Sequence, residues 1–296
     1  MHGNDMNHTQ GLCEDSQEEN SLDIDARTVA TRCGALLDQM RAARPLVQNI
    51  TNYVSMDIAA NALLAVGASP AMVHAPEESP QFVALAGALV INIGTLSAET
   101  ARSAQVATTA ARQLGRPWLF DPVGVGATDY RNDVALELME NHPAILRGNA
   151  SEIMAIARLA GLTTASAAPR GVDSANTTSE AELLCVELAQ RAGCVVVATG
   201  EVDVVTDGQQ IVRLANGSPL MTRVTALGCS LSSVMGAFLA IAPPFDAAIA
   251  ALAVYGVAGD IAAETTKHPG SFRVAFIDAL DAITPADIAT RLKVQL

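Results

Sequence analysis

Short apolar runs with almost no charge alternate along the chain with alanine-rich stretches in which apolar positions recur every three or four residues. The first pattern is that of strands buried on both faces, the second that of helices lying on them. Residues 45–50 read as a strand followed by a helix over about 54–66. Strand 70–73 and helix 77–87 come next, then the continuous apolar strand 88–94 and helix 97–114. Strand 117–122, helix 133–140, strand 144–147 and helix 151–159 continue the alternation. Residues 161–178, rich in Gly, Ser, Thr, Ala and Pro, are expected to form a loop before helix 179–192 and strand 194–199. The rhythm then changes: runs 203–206 and 210–214 flank Asp207-Gly208, a hairpin signal. Residues 218–224 are expected to supply another strand, before a helix beginning near Gly228 and a last helical region over about 247–265. The pattern predicts an α/β fold in three layers, with a mostly parallel central sheet covered by helices on both faces. No linker signal follows residue 26, so residues 26–296 are expected to form one domain.

Composition sharpens this picture. Half of the residues are hydrophobic, too many for a disordered chain of this length. The net charge of −13 is unevenly spread: residues 1–25 hold seven acids and no Lys or Arg. That segment reads as a solvated, disordered tail, and the rest of the chain is only mildly acidic. The scarcity of basic residues and aromatic rings argues against a nucleic-acid partner. Two stretches, 79–98 and 224–245, are long and uncharged, but their prolines and polar residues fit buried elements of a soluble core, so no membrane association is expected. The start of the chain has no basic, apolar leader pattern. Five cysteines without Cys-x-x-Cys spacing argue against a disulfide framework or a zinc site, and a cytoplasmic location is expected. With only two lysines and no Gly-Lys pair, the chain has no P-loop.

In sheets of this kind ligands bind beyond the carboxyl ends of the strands. Residues 49–52, Met72, Gly94-Thr95, residues 121–124, 147–149, 199–201 and 225–229 occupy those places. Asp121 ends an apolar strand, where a carboxylate suits a Mg²⁺ bound with phosphates, or a turn. Glu152 lies three residues after Asn149, the spacing of a capping box as well as of a second acid for a metal. Arg147 closes a short strand, where it can bridge phosphates or make a plain ion pair. Residues 224–230 lead with small side chains into a helix, whose free N–H groups and positive end favour an anion. Cys229 sits at that terminus; its thiol pKa is expected to fall there, unless it is simply a small buried side chain. Residues 123–127 imitate a dinucleotide glycine loop but lack its third glycine.

Taken together, segments 45–52, 63–72, 92–96, 121–127, 147–153, 199–203, 227–229 and 269–272 resemble the hydroxyethylthiazole kinase family of the ribokinase-like group. The resemblance covers about residues 45–272, in order and at family-like spacing, and leaves out the acidic tail and residues 163–169. It implies the ribokinase-like fold without a sugar-kinase lid, and ATP- and Mg²⁺-dependent phosphorylation of the primary alcohol of 4-methyl-5-(2-hydroxyethyl)thiazole in thiamin salvage. It assigns Asn52, Val54, Met72, Gly94, Thr95 and Ala226 to the thiazole pocket, and Asp121 and Glu152 to the metal. Arg147, Thr199 and Asn149 fall to the nucleotide, and Leu227, Gly228 and Cys229 to the anion hole over the transferred group. A homotrimer with active sites shared between subunits is implied as well. Cys229 stands where the wider group has an aspartate base, as in the thiazole kinases; Ala226 stands where many members have glycine. A kinase of hydroxymethylpyrimidine or pyridoxal, and a non-catalytic nucleotide-binding protein of the same fold, are the alternative readings.

Overall fold

Alternation along the strands divides the apolar side chains between two cores. In strand β3 (Ala88–Asn92), Leu89 and Ile91 face one side while Ala88 and Val90 face the other. Strand β4 (Trp118–Asp121) sends Trp118 and Phe120 to the first side and Leu119 to the second. Such strands cannot face water on either side, and the helices cover both. The computed structural model describes residues 25–162 and 174–295. The stretch read above as a disordered tail, up to residue 24, and residues 163–173 of the expected loop lie outside the described residues.

Strands β1 (Leu46–Ile50), β2 (Ser69–Ala71), β3, β4, β5 (Ile145–Asn149) and β6 (Val195–Thr199) pair in parallel in the order β2-β1-β3-β4-β5-β6. The antiparallel hairpin β7 (Asp203–Thr206) and β8 (Ile211–Leu214) extends the sheet, and β9 (Val294–Gln295) closes its edge. Helices α3 (Ser79–Leu85), α4 (Ala98–Leu114), α5 (Asp129–Met139), α6 (Ala150–Leu159) and α7 (Ser174–Ala192) pack on the Leu89 face. Helices α1 (Ala26–Ala43), α2 (Met56–Val66), α8 (Leu227–Leu239), α9 (Pro244–Thr265), α10 (Pro269–Ala282) and α11 (Pro285–Arg291) pack on the Val90 face. The expected mostly parallel, three-layer α/β architecture is what the chain adopts.

Several boundaries differ from the sequence reading, for local reasons. Residues 218–224 are not a strand. Pro219–Arg223 forms a 3₁₀ turn, begun by the Ser218 hydroxyl accepting from Leu220 N–H, and β9 takes the sheet edge beside β8. Helix α5 begins four residues before the expected start, because the Thr128 hydroxyl accepts from Arg131 N–H as its N-cap. Helix α7 likewise starts at Ser174, inside the expected loop. The terminal elements α1, α10, α11 and β9 have no counterpart in that reading. Helix α1 buries Val29, Cys33, Leu36, Leu37 and Met40, an amphipathic stripe of ordinary spacing. Its Arg41 donates to the carbonyls of Val66, Leu280, Asp281 and Ile283, satisfying the ends of α2 and α10 together. Helix α9 is long and apolar enough to cross a membrane, but it is mostly buried and packs on α1, α8 and α10.

Helix α8 lies unusually close to the sheet. A Cβ on Gly236 would run into Val90 and come within 3.0 Å of Val47. Overpacking of this kind costs about 1–3 kcal/mol. Gly236→Ala is therefore expected to lower the melting temperature by several degrees, as differential scanning fluorimetry will show.

Candidate active site

The period of two that sorts the core also gathers polar side chains. Beyond Val90 on its face of β3 comes Asn92; beyond Leu119 comes Asp121; beyond Ile145 comes Arg147; beyond Val197 comes Thr199. Asn92 and Asp121 are directly paired in register. Asn92, Asp121 and Thr199 end their strands, and Arg147 lies two residues before the end of β5 rather than closing it, all on the face covered by α8. The side chains interlock there. Asp121 Oδ2 accepts from Asn92 Nδ2 at 2.8 Å and from Ser232 Oγ at 2.7 Å, and lies 3.5 Å from the Arg147 guanidinium. Arg147 also donates to Thr199 Oγ1 at 2.8 Å and to the Gly228 carbonyl at 3.0 Å. Asn52 Nδ2 donates to Asn92 Oδ1 at 2.8 Å and to Cys229 Sγ at 3.3 Å, while its Oδ1 accepts the N–H groups of Val54 and Ser55 ahead of α2.

The loop residues close around this cluster. Gly94 must be glycine, because a Cβ there would sit 2.7–2.8 Å from the Asn52 side chain. Thr95 Oγ1 accepts from Tyr53 N–H, tying the β3 loop to the β1 loop. Met72 follows β2 and is half-buried, whereas Val54 is 56% and Tyr53 65% exposed. Ala226 caps α8 in the left-handed region, with φ of 64°, at a cost near 1 kcal/mol for a residue with a Cβ. Leu227 follows with its carbonyl accepting from the Tyr255 hydroxyl at 2.7 Å.

Glu152 keeps its capping role: Oε2 accepts Asn149 N–H at 2.9 Å, and the Asn149 side chain accepts Glu152 N–H. Its Oε1 reaches across to Gly124 N–H at 3.0 Å, so the carboxylate also ties the loop after β4 to α6. Among the described residues no three His, Cys, Asp or Glu side chains gather as a metal cage. Sequence reasoning missed Arg131, which donates to the carbonyls of Ile93, Gly94 and Val123 and so binds the loops after β3 and β4 together. It missed Asn92 for a different reason. The apolar run extends to residue 94 and masks the end of the pairing at Asn92, opposite Asp121.

Burial drives the electrostatics. It pushes the Asp121 carboxyl upward, and the charge of Arg147 and the donors Ser232 and Asn92 pull it back. Asp121 Oδ1 and Arg147 Nε are buried without a hydrogen-bond partner, so each keeps capacity for one. Asp203, which accepts from Gly200 N–H, is raised by burial to about 6. The expectation for Cys229 is reversed. Its thiol is pushed up, not down: burial comes first and the Asp121 charge second, and the amides of Asn52 and Asn92 and the charge of Arg147 do not offset them. At pH 7 the thiol is therefore protonated, and its thiolate appears only at higher pH than for a free cysteine. Iodoacetamide should modify Cys229 several-fold more slowly than a free thiol at pH 7, with the difference narrowing as pH rises, as followed by peptide mass spectrometry.

The mostly parallel sheet, with an acid, an arginine and the small-residue start of a helix at its strand ends, has the ribokinase-like fold. A ribokinase-like superfamily protein of Enterococcus faecalis shares the fold at a TM-score of 0.57 and 12% identity, over 83% of this chain and 93% of its own. Residues 37–286 match the hydroxyethylthiazole kinase family. A hydroxyethylthiazole kinase of Cereibacter sphaeroides is 53% identical over 253 residues, 86% of this chain and 94% of the relative. The structure of a hydroxyethylthiazole kinase from Pyrococcus horikoshii superposes with a TM-score of 0.82 at 41% identity, covering 89% of this chain and 98% of that one. The chain belongs to the hydroxyethylthiazole kinase family and is a phosphotransferase.

Proposed function

We propose that this protein transfers the terminal phosphoryl group of ATP to the primary alcohol of 4-methyl-5-(2-hydroxyethyl)thiazole, salvaging the thiazole half of thiamin in the cytoplasm. The observation that carries the reading, beside the family match, is the pair of unpartnered charged atoms, Asp121 Oδ1 and Arg147 Nε, at one end of a buried polar cluster. A free carboxylate oxygen beside a guanidinium fits a Mg²⁺–phosphate ligand, since Mg²⁺ takes one or two carboxylates and completes its shell with phosphates and water. Asp121 is the residue to hold that ion, with Glu152 nearby; bound there, the ion would neutralise phosphate charge.

Arg147, Thr199 and Asn149 line the nucleotide side in this reading. Asn52, Val54, Met72, Gly94, Thr95 and Ala226 line the alcohol side. Leu227, Gly228 and Cys229 offer the backbone N–H groups of the α8 terminus to the group in transit. The thiol of Cys229 is held protonated by its surroundings and is a weak base at neutral pH. Phosphoryl transfer depends chiefly on positioning and charge stabilisation, so the thiol assists without being required. Exposed Tyr53 and Val54, directly after Asn52, give an apolar edge to the alcohol side and support a homotrimer in which a neighbouring subunit completes the pocket.

With Mg·ATP and a panel of thiazole, hydroxymethylpyrimidine and pyridoxal alcohols, ADP should form with the thiazole alone. Turnover of another alcohol would move the assignment to that kinase, and none at all would favour a binding protein. Asp121→Ala should lower kcat by about 10²-fold or more, and Cys229→Ala by at least tenfold less. Equal losses would make the thiol essential. Sedimentation equilibrium should give the mass of three chains, and a monomer with full activity would remove the shared pocket.

A further inference from the structure

Asn92 is 5% exposed, and the assignment above gives it no part in the reaction. Its side chain nevertheless bonds to both halves of the site. Toward the alcohol side, Oδ1 accepts from Asn52 Nδ2 at 2.8 Å and from Gly94 N–H at 2.9 Å. Toward the phosphate side, Nδ2 donates to Asp121 Oδ2 at 2.8 Å. The orientation of this amide is forced by its neighbours. Turned over, it would set its NH₂ group against two donors and its oxygen against a carboxylate. Asn52 is constrained in the same way: Oδ1 accepts two backbone N–H groups, so Nδ2 must point to Asn92 and Cys229. Two amides thus run head to tail from Cys229 to Asp121, each with one permitted orientation. Hydrogen bonds linked in this way in a buried setting strengthen one another and resist local rearrangement.

We propose that Asn92 is a positioning residue for phosphoryl transfer, holding the alcohol-binding Asn52 and Gly94 at a set distance from the phosphate-side Asp121. The proposal rests on the kinase reading above. Its two ends make separable contributions. The acceptor end shapes the place where the alcohol binds; the donor end holds that place in line with Asp121. A displacement of about 1 Å between reacting groups costs on the order of 10²-fold in rate, so loss of the donor end alone should fall on kcat.

Two variants separate the ends. Asn92→Asp is isosteric: it keeps an acceptor toward Asn52 and Gly94, and toward Asp121 it replaces a neutral donor by a second carboxyl that must share a proton with it. Asn92→Leu removes both ends at similar volume. KM and kcat are measured for each with whichever alcohol the wild type phosphorylates, beside melting temperatures. Asn92→Asp should lower kcat by about 10²-fold with KM for the alcohol within about threefold of wild type. Asn92→Leu should lower kcat comparably and raise that KM about tenfold or more, the value of a lost pair of hydrogen bonds to a buried acceptor. The KM split distinguishes positioning from loss of fold, and from the added charge of the aspartate, which is absent in the leucine variant. The proposal is overturned if Asn92→Asp keeps kcat within about threefold of wild type, or if KM moves equally in the two variants. It is overturned too if both losses only follow the melting temperature. Absence of turnover by the wild type with every alcohol overturns the kinase reading, and this inference with it.

Discussion

Asp121 has no exposed surface, yet it ends an interior strand of the sheet with a carboxylate. Removing such a group from water costs several kcal/mol unless charge and hydrogen bonds replace the solvent. Arg147 from β5, Ser232 from α8 and Asn92 from β3 supply them. Each of these partners is committed elsewhere in turn: Arg147 to Thr199 and the Gly228 carbonyl, Asn92 to Asn52 and Gly94. The need to solvate one acid thus ties four strands and the key helix into one unit. Truncating Arg147 would leave the acid buried and less compensated, a change that typically costs about 3–5 kcal/mol for a buried pair.

The same constraint explains the close seat of α8. Ser232 reaches Asp121 from the helix, and Gly236, one turn on, lets the helix backbone approach Val47 and Val90. The N-terminus of α8 is then brought over the strand ends, with Tyr255 and Ser230 gripping its first turn at the Leu227 carbonyl. Strain is accepted at that point, where Ala226 adopts a backbone conformation that favours glycine. On the opposite edge of the site Arg131 and Glu152 bind loop to loop through backbone groups, so neither charge is spent on a mere surface pair.

Cys229 shows where a local rule yields to its surroundings. A helix terminus alone lowers a thiol pKa. Here the thiol is largely buried and faces a carboxylate, and desolvation of the thiolate together with that charge raises it above its ordinary value. The result is a site that relies on fixed donors and a guanidinium more than on a strong base, which suits a transfer dominated by charge neutralisation.

The alternation of apolar strands and alanine-rich helices was enough to determine the layered α/β architecture, because burial on both faces leaves a strand few polar positions. Asp121, Arg147 and Thr199 were legible as candidates for that reason, each closing an apolar run. The motifs around Gly94, Asp121, Arg147 and Cys229 determined the family as well. Tertiary structure alone decided the remainder. The end of β3 at residue 92, and hence the pairing of Asn92 with Asp121, depends on strand register across two chain segments. The grip of Arg131 on three carbonyls depends on two loops meeting. The direction of the Cys229 shift depends on how deeply α8 is buried, and burial is a property of the packed layers, not of any one segment.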